Sequence, residues 1–162
     1  MALADLLTHV FVGYTIGIML SWKYERIKSP QITAMMIGAA LPDLVRIRLL
    51  LNPIKIEQFF GIPFSWGPLH TLGGVLIIIA IGSLLTVPKD SKMIFILLAI
   101  GAISHLLLDS LLITASGYSY SVFWPFTMYH PPTPGLYLST DILPALISGL
   151  IALSIRSLDK FR

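Results

Sequence analysis

The chain has 162 residues, 56% of them hydrophobic and 12% charged, with a formal net charge of +3. Soluble domains carry about a quarter charged residues, so half that share points to an integral membrane protein, and a chain without cysteine has no disulfide or thiolate metal site. The basic residues form no dense block, so nucleic acid is not an expected partner, and the length fits a single domain over residues 1–162.

The stretch from Met1 to Asp5 lacks a basic n-region and runs directly into a first apolar segment, about Ala2–Trp22, so no cleavable signal is expected. A second segment, about Gln31–Leu51, is interrupted by Pro42, which is expected to kink it. A third covers about His70–Val87, a fourth Met93–Thr114 and a fifth about Asp141–Leu158. A helix needs about 20 residues to cross about 30 Å of hydrocarbon; the first, second and fourth meet that length, and the third and fifth are short. Gly38, Gly73, Gly74, Gly82, Gly101 and Gly149 offer close helix packing. The expected fold is an all-α integral membrane bundle of five transmembrane helices, with an outer loop at about 115–140. That loop contains "SGYSYSVFWPF" and "PPTPG" and no Lys, Arg, Asp or Glu. It reads as a lid over the bundle mouth or as a plug in its top.

Basic residues mark alternate connections. Lys23, Arg26 and Lys28 follow the first segment, Lys89 and Lys92 the third, and Arg156, Lys160 and Arg162 the fifth. The positive-inside rule then gives an N-terminus outside and a cytoplasmic C-terminus, with Trp22, Trp66 and Trp124 as interfacial anchors. Counted from the cytoplasmic ends, His9 lies about 20 Å up, Asp43 and His105 about 18 Å, Asp109 about 24 Å and His70 about 27 Å. Ionisable groups within spans are costly and mark function. Five of them converge in the outer half of the bilayer.

His105 and Asp109, in "SHLLLD", lie four apart and share a helix face. Three imidazoles and two carboxylates form a ligand set suited to zinc, manganese or iron, and a carboxylate shared by two metals about 3.5–4 Å apart is the layout of phosphoesterase centres. Blander alternatives stand beside each residue. An intramembrane His can be a helix–helix hydrogen bond, Asp43 can pair with Arg46 three residues on, and Asp141 reads as an N-cap or first-turn acid. His130, in "MYHPPTPG", reads as a loop residue.

The order of "TH" and Gly13, "PD" at Pro42–Asp43, His70 after a Gly turn, "HLLLD" and a late "WP" resembles the YdjM-like family of membrane-bound metal-dependent hydrolases, also described as LexA-binding and inner-membrane-associated. The resemblance covers Thr8 to Pro125. The family is in turn similar to zinc-dependent phospholipase C and P1-type nucleases. It implies that Asp43, His70, His105 and Asp109 share one metal and that Asp109 bridges to a second held partly by His9. The chain departs from the family pattern at Val45, where a second acid is usual, and at Ser65 and Trp66, where "HR" is usual.

The leading expectation is a metal-dependent hydrolase of the inner membrane. It would cleave an ester or phosphoester of a lipid-like substrate with one or two zinc or manganese ions. A metal-activated water held by Asp43, His105 and Asp109 would be the nucleophile. Arg46 and Arg48 lie on the outer side, where either could pair a substrate phosphate or serve as an interfacial anchor. A protein that binds or transports a metal without catalysis, a bis-histidine haem protein and a structural helical scaffold are the other readings.

Overall fold

The computed structural model describes residues 3–161. Six α-helices account for most of it: α1 (Leu3–Ser21), α2 (Ser29–Ala40), α3 (Pro53–Phe60), α4 (Leu72–Leu84), α5 (Pro88–Asp109) and α6 (Leu143–Asp159). Among the described residues there is no strand, only two isolated bridges in the long loop, Leu112 with Tyr137 and Tyr118 with Pro132. The all-helical class expected from composition therefore holds at that level.

The second apolar segment is not one kinked helix. Its α-helix stops at Ala40 and continues as a 3₁₀ stretch, Leu41–Leu49. Pro42 is the cause: its ring displaces the carbonyl four residues back and it has no N–H to give to that carbonyl. The tighter winding that follows re-aims Asp43 and Arg46 toward α1. The short helix α3 has no counterpart in the apolar-segment pattern, although its punctuation is explicit. Asn52 accepts the Ile54 N–H at 2.9 Å as N-cap, Pro53 opens the helix, and Gly61 closes it at φ 67°. The third segment opens with another 3₁₀ turn, Gly67–His70, before Thr71 caps α4. Asp141 precedes α6 rather than capping it, and its carboxylate accepts the Leu138 N–H at 2.8 Å.

Packing is set by small residues. A Cβ on Gly38 would strike the backbone of Leu98, and one on Gly101 would strike the Met35 carbonyl, so α2 and α5 touch main chain to main chain. A Cβ on Gly13 would come within 2.9 Å of the Ala39 side chain and one on Gly17 within 3.0 Å of Ile32, so α1 runs antiparallel along α2. Phe11 lies against Gly149 and the Trp22 indole N–H donates to Asp159 at 2.9 Å, so α6 runs parallel to α1. Trp22 is thus a tie between helices. Val75, Ile79, Leu98 and Ala102 fill the α4–α5 seam. The start of α1, the ends of α2 and α5 and the starts of α4 and α6 consequently gather at one end of the bundle.

One helix among the described residues, Pro88–Asp109, is long and apolar enough to cross a membrane, and α1 and α4 supply shorter apolar stretches. The outward faces of α4, α5 and α6 carry exposed Ile77, Ile81, Ile103, Leu107, Leu150 and Leu153.

Overpacking a close helix crossing costs about 1–3 kcal/mol or more. Gly101→Val is therefore expected to lower the midpoint of thermal unfolding in detergent by several degrees or to prevent folding, whereas Gly82→Ala, at a site with open space around it, should leave the midpoint unchanged or raise it. Equal midpoints for the two variants would contradict the main-chain contact.

Candidate metal centre

His9 and His105 come together because each lies one turn from a glycine that packs on the same stretch of α2, Met35 to Ala39. His9 precedes Gly13 by four residues and His105 follows Gly101 by four, on helices of opposite direction, so both reach the same level. Their rings stack with centroids 3.6 Å apart and planes 21° from parallel, and both side chains are fully buried. Asp109, one turn beyond His105, lies between them and His70. Its Oδ1 is 3.1 Å from His9 Nε2; its Oδ2 is 2.7 Å from His70 Nε2 and 3.3 Å from His105 Nε2.

The far ring nitrogens decide what those contacts mean. His105 Nδ1 lies 2.7 Å from the Ala39 carbonyl and His70 Nδ1 lies 3.2 Å from the Pro42 carbonyl. A carbonyl oxygen only accepts, so both Nδ1 atoms are the donors. In the neutral rings each Nε2 then carries a lone pair, and both lone pairs face a carboxylate oxygen. Lone pair against lone pair is repulsive, so each contact calls for a proton between the two atoms, on the ring or on the carboxyl, or for a metal ion. His–backbone carbonyl bonds of this kind are the usual outer support of metal-ligating imidazoles. His9 Nε2, His105 Nε2 and Asp109 Oδ1 are also buried without a hydrogen-bond partner. Ligand atoms of His9, His105 and Asp109 all fall within 4.8 Å of one another, the spread a single ion can gather.

Asp43 stands apart from this group. Its Oδ1 takes Arg46 Nη2 at 2.8 Å, and the same Nη2 lies 3.4 Å from Asp5 Oδ2. Asp5 turns its other oxygen to His9 Nε2 at 3.5 Å. Four of the five sequence-marked residues thus meet around Asp109, while the fifth faces a guanidinium. Asp5 escaped the sequence reading, yet its signal was present: Asp5 and His9 repeat, in reverse order, the four-residue spacing of His105 and Asp109. Arg46 lies within the site, between two carboxylates, and Arg48 lies on the wall of the adjoining cavity.

That cavity has a volume of about 560 Å³ and opens beside Asp43, His70 and Asp109. The long loop forms much of its other wall through Tyr120, Ser121, Trp124 and Met128. The loop is pinned at both flanks. The Leu72 and Gly73 N–H groups, among the unpaired donors at the start of α4, donate to Val122 and Trp124 carbonyls at 2.7 and 2.9 Å. The Tyr137 hydroxyl donates to the Leu108 carbonyl at 3.0 Å. Burial, with Asp109 and then Asp5 adding to it, pushes that phenol up to about 12, so Tyr137 remains a donor at every physiological pH. Trp124 is therefore part of the site wall. His130 donates to the Ser119 carbonyl at 2.9 Å within the loop, away from the cluster. Two stacked imidazoles leave no gap for a haem plane between His9 and His105, so that pair cannot serve as the axial ligands of a bis-histidine haem.

Asp5→Ala removes one partner of a buried charge network, a change that costs about 3–5 kcal/mol. Asp141→Ala removes only a turn contact in the loop and is expected to cost under about 1 kcal/mol. Denaturant unfolding of the two variants in detergent checks this, and a silent Asp5→Ala would remove Asp5 from the site.

A family model described as YdjM inner membrane protein matches residues 4–159. None of the curated proteins matches the chain, and no solved structure matches it.

Proposed function

From its membership of the YdjM inner membrane protein family, to which this chain belongs, we propose that the protein is a multi-pass, metal-dependent hydrolase of the inner membrane that acts on an ester or phosphoester of an amphiphilic substrate. The observation that carries the reading is the set of Nε2 lone pairs aimed at Asp109, with Nδ1 of His105 and His70 held by backbone carbonyls. His9, His70, His105 and Asp109 are the residues that would hold the metal. Their nitrogen and carboxylate donors suit zinc or manganese. When bound, such an ion supplies Lewis acidity and draws the pKa of water down to about 7.

The remaining residues give the proposal its substrate class. The cavity has a polar floor of Asp43, His70 and Asp109 and an apolar wall of Leu112, Ile113, Trp124 and Met128, which suits a molecule with a polar ester head and a hydrocarbon tail. Arg48 on the same wall offers a guanidinium to a phosphate. The main-chain support behind His70 and His105 holds both imidazoles in one orientation, so little reorganisation would accompany the reaction.

In the membrane, α1, α2 with its 3₁₀ continuation, α4, α5 and α6 form the five crossings of the proposal. The 12-residue α2 rises about 18 Å and nine 3₁₀ residues add about as much again. Lys23, Arg26, Lys28, Lys89, Lys92, Arg156 and Lys160 lie at the bundle end opposite the site, which supports a cytoplasmic placement of that end and a site in the outer half of the bilayer. The exposed isoleucines and leucines on the bundle's flanks would meet lipid.

Elemental analysis of detergent-purified protein is expected to find zinc or manganese. The metal should be lost in His105→Ala and Asp109→Ala and kept in Asp141→Ala. Metal-free protein that takes up none on reloading would sink the hydrolase reading. With an active phosphoester substrate in hand, Arg48→Ala is expected to raise KM about tenfold, the equivalent of about 1.4 kcal/mol, with little change in kcat. An unchanged KM would remove Arg48 from substrate binding.

A further inference from the structure

We propose that Arg46 is a built-in cation that holds the centre to one metal ion, its guanidinium occupying the place between Asp5 and Asp43 that a second ion would otherwise take. The inference rests on the metal reading above and sharpens it, because the donors at hand would otherwise suffice for two ions.

Three carboxylates lie at the site, Asp109 among the imidazoles and Asp5 and Asp43 on either side of Arg46, and the side chains of Asp5, Asp43 and Asp109 are 5%, 10% and 15% exposed. Arg46 is the one cation that contacts any of them among the described residues. With neutral imidazoles the group carries two net negative charges. One divalent ion cancels them. A second would leave two positive charges in a site walled by apolar helices, a costly state in a low-dielectric medium. Arg48, exposed on the cavity wall, is open to water and adds little to that balance.

The geometry of Arg46 fits the part. A guanidinium that recognises one carboxylate usually does so through two parallel N–H bonds. Here a single nitrogen, Nη2, reaches both Asp43 at 2.8 Å and Asp5 at 3.4 Å, while Nε is buried with no hydrogen-bond partner. The group is placed by charge between two acids rather than matched to either. Asp43 Oδ2 is likewise buried and unpartnered, and the fully buried His9 presents an unpartnered Nε2 to Asp5. Asp5 and Asp43 are thus a pair of carboxylates, separate from the ligands around Asp109, with a guanidinium between them. The 3₁₀ winding after Pro42 is what brings Arg46 there, three residues after Asp43.

The test is metal stoichiometry. Full-length protein in detergent is stripped with EDTA, reloaded with zinc chloride and desalted, and zinc per chain is measured for wild type, Arg46→Lys and Arg46→Met, with circular dichroism confirming the fold. One zinc in wild type and Arg46→Lys and a doubling to two in Arg46→Met is the expected result. Two in wild type, or one in a folded Arg46→Met, would overturn the proposal and leave the metal reading standing. None in wild type would sink both. A magnetically coupled cobalt pair in cobalt-loaded wild type would refute the single ion even if Arg46→Met does not fold.

Discussion

Everything at the site depends on α2 and α5 meeting backbone to backbone. In a membrane, helices gain little from hiding apolar side chains from one another, because lipid is just as apolar; they associate through close packing and polar contacts. Gly38 and Gly101 make the packing close, since a side chain at either position would collide with the main chain opposite. That closeness puts the Ala39 carbonyl within 2.7 Å of His105 Nδ1. The bond fixes the His105 tautomer and points its other nitrogen at Asp109. Gly13 repeats the device for α1 and brings His9 to the same level.

A second constraint follows from charge. Three acids near one end of an apolar bundle cannot stand without compensation. Arg46 supplies part of it from the same chain turn that carries Asp43. The rest must come from protons on the imidazoles or the carboxylates, or from a metal ion. The uncharged loop from Ala115 to Thr140 covers the region without adding charge of its own, and its carbonyls cap the open N–H groups of α4. Cover and balance are therefore separate jobs, done by separate segments.

Much of this is legible in the sequence. The four-residue spacing of His105 and Asp109 gave one shared face, and rise per residue placed His9 level with His105. Small residues marked the crossings. Less was legible where structure departs from a regular helix. Pro42 signals a break in the helix, but a kinked α-helix and a 3₁₀ continuation send Arg46 in different directions, and hydropathy does not separate them. Asp5 was overlooked because it sits near the start of the chain, where an acid in a first helical turn has an ordinary explanation in the helix dipole. The helix α3 was missed because its eight residues mix Lys55, Glu57 and Gln58 with apolar neighbours, and only its Asn-Pro start and Gly end announce it.

The central claim is that the helix crossing preorganises His9, His105 and Asp109 around a cation. X-ray absorption at the zinc edge of reloaded protein tests it most directly. Expected is a first shell of nitrogen and oxygen only, at about 2.0–2.2 Å, with the outer-shell scattering of at least two imidazoles that falls away in His9→Ala and His105→Ala. A shell of oxygen alone, or a spectrum that neither substitution alters, would mean that the ion binds elsewhere and that the crossing positions a polar contact between helices instead of a metal centre.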